Sequence, residues 1–307
     1  MKINLWFQDS GLFKNAEESK FRPNAILSLI VFFCLWYGSL LLGRFIVIPL
    51  IDLLPNSTII WSTFSLSLRK ISVCGFQIAV FFAWVKVVEK RKISTLGFAS
   101  KHKVMNYWGG VLLGVVSISV IVFVSMIFGI IEVGFNGLSP TSLLVSSLSI
   151  AVFGWVIQSA SEEIAIRGWL IPTLGVRHNP LVAVLLTGGV FGILHLLNSG
   201  ATVLSFVNLT LSGFFFALFA INAGNIWGVC GLHFGWNYAL SNIFGLSVSG
   251  EQGISNSIFI SKLSGADLLT GGDFGLESSL FSTIFFGCAT LFIIVVLQKK
   301  HTRQAAA

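Results

Sequence analysis

The sequence predicts an all-α fold, a polytopic membrane bundle of about eight transmembrane helices, and three observations carry that prediction. Lys+Arg 19 and Asp+Glu 12 make only 10% of 307 residues charged, against about 25% in ordinary soluble domains. Hydrophobic residues reach 55%, with 29 Phe and a mean hydropathy of +0.89, which leaves too little polar surface to coat a water-soluble globule of this size. The few charges are also clustered: residues 104–131, 133–161, 179–250 and 278–298 contain no Lys, Arg, Asp or Glu. Soluble β-rich, disordered and coiled-coil classes are excluded.

A membrane helix needs about 20 mostly apolar residues, so these runs divide at their turn formers into spans at 25–43, 71–88, 107–131, 143–174, 181–198, 203–223, 226–246 and 279–298. The breaks fall at Pro55-Asn56, the basic stretch 90–103, and the turn-rich segments 137–140, 178–180, 198–200 and 223–225, where Gly, Pro and Asn interrupt the apolar pattern. The second span is short, lying between Lys70 and Lys86, and both lysines can snorkel to the interface. Arg44, Asp52 and Glu132 fall near span ends and are expected to snorkel as well. Residues 247–278 form a Gly- and Ser-rich outer loop.

An even number of spans puts both termini on one side, and basic residues mark the cytoplasmic side. With the N-terminus cytoplasmic, the inner segments hold Lys2, Lys14, Lys20, Arg22, Lys86, Lys90, Arg91, Lys92, Lys101, Lys103, Arg177, Lys299, Lys300 and Arg303, fourteen of nineteen, while Arg69, Lys70 and Lys262 are outside. The net charge of +7 is therefore a topology signal, and no nucleic-acid partner is expected. Cys34, Cys74, Cys230 and Cys288 lie inside spans without CxxC spacing and read as buried small apolar residues. The N-terminal segment lacks the pattern of a cleaved signal peptide.

An ionisable residue inside a span costs about 2.5–3.5 kcal/mol on insertion scales, so each needs a reason. Glu162, Glu163 and Arg167 lie in the fourth span, His195 in the fifth and His233 in the seventh, with Asn237 one turn further on. Glu163 and Arg167 are four apart and can neutralise one another on one helix face, whereas Glu162 points about 100° away. One carboxylate is thus held structurally while the other faces the bundle interior, where poor solvation suits a general base. Histidine serves as base or metal ligand, and Asn can donate to an oxyanion. Counted from the cytoplasmic ends, Glu162, His195 and His233 lie about 20, 22 and 12 Å deep, which allows a shared site in the inner half or middle of the bilayer. Asn198, Asn208, Asn222, Gln77 and Gln158 read as helix–helix hydrogen bonders or loop residues.

In these residues the sequence resembles the CAAX protease and bacteriocin-processing family of intramembrane proteases, also called the CPBP or Abi family. Glu162-Glu163-x-x-x-Arg167 matches the first family motif, Phe191-x-x-x-His195 the second and His233-x-x-x-Asn237 the third, and Leu96-Gly97-Phe98 looks like a short segment that opens the conserved part. The resemblance implies an eight-helix fold and an endopeptidase working within the membrane on peptide or lipid-modified protein substrates. It implies that Glu162 activates the attacking water with help from His195, that His233 and Asn237 stabilise the oxyanion, and that Glu163 and Arg167 hold the first motif in shape.

On this reading the chain comprises a cytoplasmic tail (1–24), two helices with a basic cytoplasmic loop (25–103), a CPBP-like catalytic core (104–250), and an outer loop, last helix and basic tail (251–307), in a prokaryotic cell membrane. A divalent metal such as zinc is a possible cofactor, with Glu162, His195 and His233 as candidate ligands. The absence of the HExxH spacing of helical zinc proteases favours a metal-free mechanism. The rival readings are a proton-coupled transporter relaying through the same groups and a non-catalytic protein for bacteriocin self-immunity or scaffolding.

Overall fold

The computed structural model describes residues 10–54, 58–137, 141–251 and 256–305. The expected turn at Pro55-Asn56, most of that at 137–140, part of the outer loop, and Lys2 lie outside the described residues. The helices in chain order are α1 (Gly11–Ala16), α2 (Ala25–Ile51), α3 (Ile59–Val87), α4 (Lys103–Ile127), α5 (Thr141–Glu163), α6 (Ile171–Arg177), α7 (Pro180–Leu194), α8 (Val203–Ala223), α9 (Trp227–Tyr238), α10 (Asp267–Thr270) and α11 (Leu280–Ala305). The protein is an all-α membrane bundle. Among the described residues six helices are long and apolar enough to cross a membrane, the fifth and sixth of them being α8 and α11. The two remaining expected spans are shorter: α7 has 15 residues, and α9 has 12 before a π-helical extension over Ala239–Ile243. Helix α8 is the most enclosed of the six, with 61% of its apolar window buried against 17–39% in the others. The rest expose large apolar side chains such as Ile26, Phe45, Leu112, Phe153 and Phe292, as lipid contact demands.

Several expected boundaries shift for identifiable reasons. Helix α3 begins at Ile59, not near 71, so Arg69 and Lys70 are not outer-loop residues and Lys70 does not snorkel. Lys70 Nζ lies 2.7 Å from Glu251 and 4.5 Å over the Trp155 ring, partners that supply the counter-charge inside the bundle. Helix α2 runs through Arg44 to Ile51, and Asp52 at its end pairs with Arg69. Helix α4 stops at Ile127, after which Gly129 at φ 69° turns the chain into a strand, β1 (Ile131–Phe135). Strand β1 pairs antiparallel with β2 (Phe259–Leu263) in the register Ile131↔Leu263 to Phe135↔Phe259, placing Glu132 opposite Lys262. The cysteines are also redistributed: Cys34 and Cys288 are exposed on the helix surface, Cys74 is half-buried and only Cys230 is buried, all as free thiols.

The segments grouped by their basic residues meet at one end of the bundle. Ser10 Oγ donates to Ile221 O at 2.8 Å, the Lys20 amide to Glu89 O at 3.0 Å, Arg177 to Arg22 O at 2.6 Å, and Lys300 to Asn222 O at 3.0 Å. The described part of the N-terminal tail is no loose extension. Leu12 and Phe13 of α1 are buried, and the Phe13 ring fills the surface of Gly175, where a Cβ would meet it at 2.2 Å. Leu96-Gly97-Phe98 packs beside them. Gly97 takes a left-handed φ of 89°, and a Cβ there would strike Leu12 at 2.7 Å and Ile226 at 2.9 Å. Glu89 and Arg91 form a buried pair at 2.5 Å, with Trp84 and Trp169 both donating to Glu89 Oε1.

Helix α9 is positioned by backbone-to-backbone contact with α4. A Cβ on Gly231 would lie 2.0 Å from Tyr107 O, one on Gly235 2.3 Å from Val111 O, and one on Gly114 2.1 Å from Leu232 O. Small residues spaced by four let membrane helices approach this closely, and His233 and Asn237, two residues on from Gly231 and Gly235, project from the opposite side of α9 toward α5.

Candidate active site

The motif residues arrive from three helices whose regular hydrogen bonding changes beside them. Helix α5 carries Glu162 and Glu163 at its end, and Ile164–Leu170 then winds as a π-helix up to Pro172, which has no amide hydrogen to continue the α-ladder. Helix α9 carries His233 and Asn237 and passes into its own π-turn at Ala239. Such i→i+5 turns are rare and gather at functional sites. Helix α7 ends at Leu194, so His195 is its C-cap, not a mid-helix residue.

The two adjacent carboxylates have separate surroundings. Glu163 is fully buried, accepting from Arg167 Nη1 at 3.0 Å and from His233 Nδ1 at 2.8 Å. A carboxylate accepts only, which assigns the proton to Nδ1 of His233 and turns Nε2 elsewhere. Arg167 also donates to Gly213 O at 3.3 Å and lies over the rings of Phe191 and Phe216, at 4.7 and 5.3 Å. Glu163 therefore holds the first and third motifs together, while Arg167 on Phe191 adds the second. Glu162 faces the other way: Oε1 accepts from Gln158 Nε2 at 2.6 Å, and Oε2 lies 4.0 Å from His233 Nε2 without a hydrogen bond among the described residues.

Both Glu162 and His233 border a cavity of about 780 Å³, as do His195 and Asn237. All four expected site residues are thus brought to one space. His195 fixes its ring through Nδ1 on Phe191 O at 2.8 Å, and the Phe191 ring stands 4.9 Å from that imidazole and 6.2 Å from His233. Asn237 Nδ2 donates to Gln158 Oε1 at 3.0 Å, so Gln158 links Asn237 to Glu162. Gln158 does bond across helices as its type suggested, but it is also part of the site. Its spacing of four before Glu162 was the signal that it shares that face.

Three further groups on the cavity wall carry no sequence motif. They are Lys70, Glu251 and Glu277. Glu277 is buried and accepts from Trp236 Nε1 at 2.9 Å and Ser249 Oγ at 3.1 Å, pinning the outer loop to α9. Burial alone would raise the Glu251 carboxyl, yet the Lys70 ammonium beside it holds it below its ordinary value. Among the described residues no three His, Cys, Asp or Glu side chains gather into a set able to hold a metal ion. Of the candidate zinc ligands, Glu162 Oε2 and His233 Nε2 approach one another at 4.0 Å, two donors where catalytic zinc usually takes three protein ligands.

Residues 144–239 match the family described as type II CAAX prenyl endopeptidase, Rce1-like, and this stretch encloses all three motifs. Over those residues the chain is similar to that family. It is also similar to the uncharacterized protein YyaK of Bacillus subtilis (strain 168), at 36% identity over 93 residues, 29% of this chain. That alignment spans 29% of YyaK as well. No solved structure matches the chain. The matched stretch contains Glu162, His195, His233 and Asn237, while α2 and α3, which complete the cavity wall, lie outside it.

Proposed function

We propose that the protein is an intramembrane endopeptidase in which Glu162 activates a water for attack on a peptide carbonyl. The observation that carries this reading is the division of labour between the adjacent carboxylates: Glu163 is held through Oε1 by both Arg167 and His233 in the core, whereas Glu162, on the cavity wall, leaves Oε2 4.0 Å from His233 Nε2. Polar groups separated by 4.0 Å are too far apart for a direct bond and suit a shared water about 2.8 Å from each. Glu162 takes the proton of that water as it attacks, and returns it to the leaving amine. Asn237, and His233 as its imidazolium, stabilise the tetrahedral oxyanion in this proposal, and His195 orients the water or substrate. Each role draws on protein groups alone, and no step requires a metal.

The cavity volume accommodates a short extended peptide, and both a peptide and a lipid-modified protein segment remain within the substrate class. The test compares peptides in membrane fractions from cells carrying the parent protein and the Glu162→Ala variant. Precursors accumulate and products vanish in the variant if the proposal holds. Identical peptide populations with both proteins correctly inserted would return the chain to the non-catalytic reading.

A further inference from the structure

We infer that the cavity is entered from the face of the membrane opposite the basic loops, so that the substrates are peptide segments presented on the non-cytoplasmic side. The substrate clause rests on the endopeptidase proposal, whereas the direction of entry rests on the structure of the bundle alone. The floor of the cavity is formed by Phe191, Phe216 and His233, and its other end by Ile48, Leu66 and Arg69 near the far ends of α2 and α3, with Glu251 of the outer loop. Glu251 is 60% exposed in its side chain and Arg69 32%, as befits a mouth.

Below the floor, toward the basic end, the bundle is closed. Arg167, Ile166, Trp169 and Leu170 are inaccessible, and beneath them Leu12, Leu96 and Ile226 are equally buried. No residue of α1, of the segment 88–103, or of the turns at 177–180 and 222–226 lines the cavity. A substrate approaching from that end would have to unpack α1, the Leu96-Gly97 turn and the Glu89–Arg91 pair together.

The charge distribution then sets the direction. Thirteen of the eighteen described Lys and Arg belong to the sealed end. Of the remainder, Arg44, Arg69 and Lys70 point into the cavity and Arg167 is in the core, which leaves Lys262 as the one basic residue of the described outer connections. Basic loops stay on the cytoplasmic side, so the mouth faces outward. The expected depth, in the inner half or middle of the bilayer, stands beside this: the reacting groups communicate with the opposite surface.

The experiment uses the full chain in sealed bacterial membrane vesicles of both orientations and a membrane-impermeant, charged thiol reagent. Lys70→Cys reports the cavity and Lys101→Cys the sealed end, each in a background with the four native cysteines replaced by serine. Lys70→Cys is expected to react in right-side-out vesicles and be protected in inverted ones, with Lys101→Cys showing the reverse. If Lys70→Cys does not accumulate, Glu251→Cys reports the mouth in its place. Reaction of the cavity cysteine in intact inverted vesicles and its protection in right-side-out ones would overturn the inference. An impermeant quenched peptide supplies the second arm, with cleavage expected in right-side-out vesicles and, in inverted ones, only after detergent. Cleavage confined to intact inverted vesicles also overturns the inference. The expected labelling with no cleavage anywhere, detergent included, would uphold the direction of entry and remove the endopeptidase proposal instead.

Discussion

The two ends of this bundle use charge in opposite ways. At the basic end, Glu89 and Arg91 are buried against each other and against two indoles, and they lock the loop before α4 onto Trp169. At the open end, Lys70 and Glu251 pair at the mouth of the cavity, with the glutamate largely exposed. The same pairing of a cation with a carboxylate is therefore structural where both partners are dry and adjustable where one is wet. Between them sits the Glu162–Glu163 step, at which one carboxylate belongs to the closed half and the next to the cavity.

Breaking the closed end should cost most. Arg91→Ala leaves Glu89 buried without its cation, a loss of about 3–5 kcal/mol, seen as a large drop in thermal unfolding temperature in detergent, with activity falling in step with folded protein. The glycine seam that bears α9 comes next. Gly231→Ala puts a methyl into the space of Tyr107 O, and overpacking of this kind costs about 1–3 kcal/mol. Because α9 carries His233, the variant should lose activity as well as stability, which separates it from a change confined to the sealed end. At the cavity, Gln158→Ala removes a neutral hydrogen bond from Asn237, worth about 0.5–1.5 kcal/mol, and one to the Glu162 carboxylate, worth about 1.5–3 kcal/mol. It should reduce turnover more than it lowers the unfolding temperature, since Glu162 and Asn237 lose their common partner.

The smallest effect belongs to the mouth. A double-mutant cycle of Lys70→Met and Glu251→Gln should return a coupling of about 0–1 kcal/mol, as for other solvent-accessible pairs. Its pH dependence has a definite sign. The Glu251 carboxyl is held below its ordinary value of 4.5, so its contribution is present above that value and disappears as the pH falls through the lower folded value. The coupling measured at pH 7 should therefore be lost on acidification to below the ordinary carboxylate value and not on alkalisation toward pH 9.

Much of the site was legible because the membrane penalises charge. Glu162, Glu163, Arg167, His195 and His233 stood out against uncharged runs, and the four-residue spacing of Glu163 and Arg167 foretold their contact. The grouping of basic segments at one end was equally visible. What escaped was produced by tertiary packing. Lys70 resembled an interfacial lysine because its counter-ion, Glu251, lies 181 residues away in a loop without a motif. Glu277 escaped for the same reason. The end of α7 at His195 and the π-turns after Glu163 and Tyr238 change hydrogen-bond partners without altering hydropathy, so apolar periodicity passes over them. Residues Leu12 and Phe13 looked like part of a polar tail because two apolar side chains in a charged segment reveal a docking site only once the surface of Gly175 is known.

The most direct test of the division between the adjacent carboxylates is a side-by-side measurement of peptide hydrolysis and unfolding temperature for purified Glu162→Gln and Glu163→Gln. Glu162→Gln should retain the parent unfolding temperature and lose activity by the factor of about 10²–10⁴ that general-base catalysis supplies, while Glu163→Gln should unfold at a markedly lower temperature, because the buried Arg167 loses its counter-charge. A Glu162→Gln protein that hydrolyses peptide as fast as the parent, or a Glu163→Gln protein that is unchanged in stability, would contradict the account.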